Sequence, residues 1–598
     1  MFQTFDTATS PEQGPPRLAA LRADMTRLGL DAVLVPRADR FQGEYVADRD
    51  ARLAWLTGFT GSAGFCAVTA DKAAVFVDGR YTVQVREQVA LSDFTPVDWP
   101  ATSLAQWLKR SLAEDAVLGF DPWLHTVDEI TRLSRALPRL ELRGIDNPVD
   151  AIWTDQPAAP MAPIFAHPLE FAGEDHAAKR ARLADELRSA GEAAALITLP
   201  DSVAWLFNIR GGDIPRNPIP HAFALLRADG SAVLLTEPDK CAGLGDHLGA
   251  DVSVMPPDQL ADLLATVEGT LRIDPSSAPQ ALIALAALAG VNLSHGADPA
   301  RLPKAIKNPA ELQGMRDAHL RDAAAMCRFL AWYDAADQTA LSEVELVVAL
   351  EGFRADTNML REISFDTIAG AGPNGALPHY KVSAESSRRL EEGQLVVLDS
   401  GGQYPDGTTD ITRTLVVGQA GAEETRAFTL VLKGMIAMSR VRFPRGVTGG
   451  HLDSLARYPL WLAGMDYDHG TGHGVGAYLC VHEGPQRLSR TSDVALEPGM
   501  ILSNEPGYYR EGAFGIRIEN LIVVQEAAPV PGGDARDWLD FETLTWVPID
   551  RRLIDTGLLS AEEREWVDSY HAACRDKIGP LLSGETAVWF ASATEKLD

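Results

Sequence analysis

The chain has 598 residues, 46% hydrophobic and 23% charged, with a net charge of −29 and a pI near 4.8. That length exceeds one ordinary core and predicts three or four domains of roughly 150–200 residues each. Such acidity argues against nucleic acid and anionic membrane as partners, since both reward Lys and Arg, and it favours ligands carrying a positive end.

In chain order, residues 17–29 (RLAALRADMTRLG) read as an amphipathic helix ending at Gly29, followed by a strand, DAVLVP. FCAVTADKAAVFVDGRY reads as two strands joined at Asp71-Lys72 and closed by Asp78-Gly79. A second unit follows the same plan: a helix over 177–190, then EAAALITLPDSVAWLFNIRGG and HAFALLRADGSAVLLTEPDK. Pro36, Ala54-Trp55-Leu56 and Gly58 recur in order as Pro200, Ala204-Trp205-Leu206 and Gly211, which predicts a duplicated α/β domain. Between the two lies DQPAAPMAPIFAHP, with four prolines in fourteen residues, a linker or wrapping segment. A second junction falls in ARLPKAIKNPAE, residues 300–311, and a long helix starts after it. The expected domains are therefore 1–154, 155–305 and 306–598, the last gathering the polar motifs. The five cysteines are far apart and form no CxxC, so neither a disulfide framework nor a thiolate zinc site is expected. The N-terminus lacks a basic n-region and an apolar h-region, and no apolar run reaches transmembrane length, so a cytoplasmic location is expected.

The chemistry concentrates after residue 395. Asp399 ends an apolar strand, LVVLD, and Asp410 interrupts a second run, TTDITRTLVV, after a turn at Asp406-Gly407. In a hairpin the two carboxylates would face one another, a costly pairing that persists when something positive sits between them. DHGTGHGVG sets His469 and His473 among four glycines, which permit close backbone approach. Glu505 ends the run MILSNE, and FGIRIENLIVV reads as one alternating strand, with Ile516 and Ile518 on one face and Arg517 and Glu519 on the other. Arg517 would then anchor Glu519. Taken singly, each glutamate is more often a solvated strand residue than a ligand. Taken together, Asp399, Asp410, Glu505 and Glu519 cancel the charge of two divalent cations, with His473 as the one nitrogen. Such a set suits a dinuclear site whose ions lie about 3.5–4 Å apart and hold Mn, Co or Zn.

The segments DSGGQYPDGTTDITRT, HGTGHGVG, NEPGYY and GIRIEN resemble the pita-bread metallopeptidases. The resemblance is to the three-domain, cytosolic-type Xaa-Pro aminopeptidases, and it extends to EYVADRDARLAWLTGFTGSAG, VDGRYTVQ, WLFNIRGGD, GPNGALPHY, VHEGP and LTWVPIDRRLID. It implies two creatinase-like N-terminal α/β domains before a pita-bread catalytic domain with a C-terminal extension. It also implies Asp399, Asp410, His473, Glu505 and Glu519 as ligands to two divalent ions, taken as Mn2+. His379, His469 and His482 would line the substrate cleft, with Arg517 near the last ligand and Glu44 over the cleft of a neighbouring subunit in a homodimer. The implied reaction releases the N-terminal residue from peptides with proline second, by attack of a metal-bridging hydroxide, with Glu505 taking its proton. An Xaa-Pro dipeptidase of the same fold is the alternative, opposed by the duplicated N-terminal half. A non-catalytic peptide binder is opposed by the presence of all five ligands.

Overall fold

In the computed structural model, which describes residues 1–7 and 9–597, two six-stranded sheets in the first half share one topology. In the first sheet Ala32–Pro36 is central, paired antiparallel to Phe65–Thr69 and parallel to Val117–Phe120. Phe65–Thr69 forms a hairpin with Ala73–Val77, and the parallel strands Thr95–Asp98 and Glu141–Gly144 complete the two edges. The second sheet repeats every one of these relations around Ala194–Ile197. The duplication expected from the sequence is thus present strand for strand. One detail differs. Both Ala-Trp-Leu triplets lie in short helices, Arg52–Thr57 and Pro200–Phe207, but the left-handed residue closing the second is Asn208, at φ 49°, not Gly211. Asparagine tolerates that conformation better than other side chains do, so glycine-matching placed the counterpart of Gly58 three residues late.

These two sheets belong to one compact unit, Ala8–Lys304; the other comprises Met1–Thr7 with Ala305–Asp598. The second unit opens with the helix Pro309–Ala335. Asn308 caps it by accepting from the Ala310 and Glu311 amides, while the Glu311 carboxylate accepts from the Asn308 amide. This reciprocal cap, with proline in the first turn, starts a helix firmly. Its apolar side, including Met326, Phe329 and Leu330, packs in a core with Leu346, Leu350, Val396 and Leu398. The strands Ile368–Ala371, Leu395–Ser400 and Ile411–Val416 form one antiparallel sheet. A second sheet runs in the order Phe443–Pro444, Trp538–Thr543, Asn520–Glu526, Ile501–Asn504, Gly472–Gly474, Glu483–Leu488. The first seven residues pack here too: the Glu351 carboxylate accepts from the amides of Phe2 (2.6 Å) and Gln3 (3.3 Å), and Ala384 N–H donates to Phe5 O.

The single alternating strand expected over FGIRIENLIVV is two strands. Phe514–Arg517 pairs with Gly507–Arg510, and Asn520–Glu526 joins the six-stranded sheet, with Ile518 and Glu519 at the break. Both faces are buried, so alternation does not sort Ile516 from Arg517.

Behind this sheet, the helix Ala561–Ile578 places His571 in the core, where its Nε2 accepts from the Ile549 amide at 3.1 Å. Burial, reinforced by Arg551, Arg413 and Arg575, lowers this imidazole to about 4. Because the folded-state value is depressed, the unfolded chain takes the proton first. The contribution is therefore full above about pH 6.5 and falls as pH drops towards 4, by up to about 3 kcal/mol. Urea unfolding across that range should show this loss in the native chain and less of it in His571→Gln, which accepts the same amide without titrating; parallel pH curves would exclude it.

Candidate metal centre

Asp399 sits opposite Thr412 in the ladder between Leu395–Ser400 and Ile411–Val416. Asp410 precedes that partner by two residues, so Asp399, Asp410 and Thr412 share one face of the sheet. The intervening turn forms its own small ladder, with Tyr404 opposite Gly407. His473 and Glu505 come from the other sheet, where Gly474 pairs with Leu502. Ser503 ties them together: its hydroxyl accepts from the His473 amide (2.9 Å) and donates to Glu505 (3.2 Å). The glycines beside His473 are required by this packing. A side chain on Gly472 would meet Ser503 O at 1.9 Å, and one on Gly474 would meet Glu483 O at 2.7 Å.

Asp410, His473 and Glu519 each bring one ligand atom within 4.8 Å of the others. His473 Nε2 lies 3.4 Å from Asp410 and 3.5 Å from Glu505. Its Nδ1 lies 2.9 Å from Gly474 O, the arrangement that leaves Nε2 directed at the carboxylates. Burial raises the Glu505 carboxyl to about 7 and that of Glu519 well above the usual range, the neighbouring carboxylates adding to both. Burial also raises Asp399, against the pull of Arg517. For His473 burial opposes the charge, but the hydrogen bond to Asp410 and the Glu505 charge outweigh it and lift the imidazole to about 9. The cluster thus holds negative charge in excess of what the protein neutralises.

Arg517 is buried, as expected, but its partner is different. Its guanidinium donates to Asp399 Oδ2 (2.6 Å) and to the Tyr509 hydroxyl, and Nε reaches Thr412 Oγ1 at 3.3 Å. Glu519 instead accepts from Thr412 Oγ1 at 2.8 Å. The expected direct anchor is therefore indirect, because the break at Ile518–Glu519 turns the two side chains apart. His482 stacks edge-on against His473, with ring centroids 4.3 Å apart. His469 lies one step further out, its Nε2 2.9 Å from the same Tyr509 hydroxyl. His379 falls in the loop after the turn Gly372–Ala376. That loop is fixed by Glu343, whose carboxylate accepts from the Ala371 amide, the Asn374 side chain, the Tyr380 hydroxyl and the Arg388 amide. Glu44 belongs to the other compact unit, where it accepts from Ser62 at 3.0 Å.

Several supporting residues escaped the sequence reading. Tyr509 joins Arg517 to His469, and its signal was its place in NEPGYY, already quoted. Glu483, next to His482, forms a fully buried ion pair with Lys307 in the junction segment. No local pattern links Lys307 to Glu483, 176 positions apart.

Residues 313–526 match metallopeptidase family M24, and residues 537–597 match the C-terminal region of peptidase M24. Residues 17–152 and 155–311 each match a creatinase/prolidase N-terminal domain. Aminopeptidase P2 of Arabidopsis thaliana is 39% identical, the alignment covering 95% of this chain and 86% of that one. Aminopeptidase P1 of Lotus japonicus is 36% identical over 97% of this chain and 99% of its own. The chain belongs to metallopeptidase family M24, in its aminopeptidase P group. The crystal structure of an X-prolyl aminopeptidase from Caenorhabditis elegans, described as a cytosolic enzyme with a dinuclear active site, superposes with a TM-score of 0.92. It is 33% identical and covers 97% of this chain and 99% of that one. The prolidase of Pyrococcus horikoshii reaches a TM-score of 0.50 at 26% identity. It is matched over 99% of its length but covers 62% of this M24 chain.

The geometry of Arg517 yields a test. Lysine at this position keeps a charge beside Asp399 but cannot also span Tyr509 and Thr412. Arg517→Lys is expected to weaken metal binding or kcat by roughly 10- to 100-fold. Titration with Mn2+ and steady-state kinetics check this, and unchanged values would remove Arg517 from the centre.

Proposed function

We propose that this chain is a metal-dependent aminopeptidase that releases the N-terminal residue from peptides with proline in the second position. The observation that carries this is the grouping of Asp410, Glu519 and Glu505 around His473, with Asp399 on the same sheet face as Asp410, in a chain 97% covered by an X-prolyl aminopeptidase described as having a dinuclear site. The donor set fits two divalent ions. Four carboxylates offset their charge, and Asp399 Oδ1 is buried with no hydrogen-bond partner among the described residues, an acceptor a cation would satisfy. Asp399, Asp410, His473, Glu505 and Glu519 would hold them, and Mn2+ is the proposed metal. Two bound ions would supply a nucleophilic water at neutral pH and polarise the scissile carbonyl.

The remaining work falls to side chains. Glu505, oriented by Ser503, accepts the proton of the attacking water. His482, beside His473, and His379 donate hydrogen bonds to the oxygen on which negative charge develops. Tyr509 restrains His469 at the cleft wall and steadies Arg517, which in turn holds Asp399. An Xaa-Pro bond is a tertiary amide with no N–H to grip, so the proline must be recognised by the shape of its ring.

We take 1–154 and 155–305 as the two related N-terminal domains and 306–598 as the catalytic one, supported by the repeated sheet topology and the matched ranges. A cytoplasmic location is consistent with the cytosolic description of the Caenorhabditis elegans enzyme. Among the described residues no helix is long and apolar enough to cross a membrane. A homodimer, in which Glu44 would reach a neighbouring cleft, is supported by an apolar group exposed at the end of Gly449–Trp461: Tyr458 (58%), Trp461 (44%) and Leu462 (72%).

His473→Ala should release metal and abolish cleavage of Arg-Pro-Pro, with metal analysis and product chromatography as the readouts. Full metal content with native turnover in that variant would sink the assignment. Native enzyme should cleave Arg-Pro-Pro far faster than an Xaa-Pro dipeptide; the reverse preference would make it a dipeptidase.

A further inference from the structure

Arg413 lies on Ile411–Val416, one residue after Thr412, so its side chain leaves the opposite face of the sheet from the metal cluster. It is 2% exposed. Among the described residues no carboxylate lies within ion-pair distance of its guanidinium. Its three nitrogens face six neutral oxygens, so the two N–H groups of Nη2 are shared among three acceptors. Nη1 donates to Thr412 O (2.8 Å) and Glu519 O (2.6 Å), and Nε to Pro548 O (3.1 Å). Nη2 donates to Asn520 Oδ1 (2.8 Å), Val547 O (2.7 Å) and the Tyr570 hydroxyl (3.0 Å).

These acceptors form two groups. Thr412 and Glu519 are the hydroxyl–carboxylate pair of the metal centre, and Asn520 follows directly. Val547, Pro548 and Tyr570 belong to the segment matched as the C-terminal region of peptidase M24. Tyr570 is held there in turn: its hydroxyl accepts from the Val547 amide (3.2 Å) and lies 3.0 Å from Thr545 O. Glu519 stands at a break between two strands, where no ladder fixes its backbone. Glu519 N–H bonds to Thr412 O, and Arg413 takes up both that carbonyl and Glu519's own. A buried cation satisfied by neutral oxygens is expensive to assemble and to break, and here it spans the break between strands at Glu519.

We propose that Arg413 is a positioning residue that makes the C-terminal region part of the metal centre's scaffold: segment 545–570 fixes the backbone of Glu519 through it, and thereby sets metal affinity. This rests on the metal-site assignment above.

The test uses the full chain stripped with chelator and titrated with Mn2+ by calorimetry, alongside kcat and KM for Arg-Pro-Pro at saturating Mn2+. Arg413→Lys keeps the charge but cannot reach both groups of acceptors; its Mn2+ dissociation constant is expected to rise roughly 10- to 100-fold. Tyr570→Phe, outside the metal site, removes the hydroxyl that accepts from Arg413 and from the Val547 amide and lies against Thr545 O, and is expected to weaken Mn2+ by about 3- to 10-fold with KM unchanged. If Arg413→Lys fails to fold, Tyr570→Phe decides alone. Lower melting temperature with native Mn2+ affinity in a folded variant would reduce Arg413 to a structural role and overturn the proposal. Failure of the native chain to bind Mn2+ would overturn the metal assignment itself, and the proposal with it.

Discussion

Four carboxylates converge beside His473 in a largely buried space, and the side chains around them answer the cost of keeping them there. Desolvation is the largest influence on Asp399, Glu505 and Glu519, and mutual repulsion adds to it. The protein compensates only in part. Arg517 answers Asp399, Thr412 donates to Glu519, Ser503 to Glu505, and His473 approaches Asp410. Each acid thus receives an oriented contact, and Glu505 a second from His473 at 3.5 Å. A set this underneutralised is stable as a cation site and unfavourable as anything else.

Backbone geometry produces that convergence. The ligands come from two separate sheets, so neither sheet alone could assemble the cluster. Close approach is obtained where side chains are absent. Gly472 lies against Ser503 O, and Gly515 lies so near Gly375 O that a side chain would sit 1.7 Å from it. The second contact seats the GPNGALPHY loop, and with it His379, against the strand that ends at Arg517. Glu343 then locks the same loop from behind through four donors. Rigid support of this kind is what holds reacting groups in productive positions.

The sequence drew attention to Asp399 and Glu505 because each is an acid at the end of an apolar run, where a solvated side chain would be out of place, and to His473 because glycines surround it. The duplicated α/β plan was legible for a similar reason: the order of helix, strand, Ala-Trp-Leu and hairpin survives even where residues differ. Other features were hidden by their physics. Alternation presumes one continuous strand with one wet face, and Phe514–Glu526 has neither, so Arg517 was assigned to Glu519 rather than Asp399. Met1–Thr7 carries no periodicity, and its attachment to Glu351 depends on backbone amides that any sequence possesses. The Lys307–Glu483 pair joins a junction segment to the strand beside His482. Until the fold brings them together, each looks like an ordinary surface charge.

The relation to prolidase separates chemistry from specificity. A prolidase fold is matched over 99% of its own length yet accounts for 62% of this chain, whereas the X-prolyl aminopeptidase accounts for 97%. The reaction itself does not divide the two activities, since hydrolysis of a tertiary amide makes the same demands in both: a nucleophile, a base, and donors at the developing oxyanion. What divides them is whether chain beyond the proline is admitted, and that is a property of surfaces away from the ions. The choice between dipeptide and longer peptide has to be made by groups that meet the residues beyond the proline, because discrimination is a difference between two bound states.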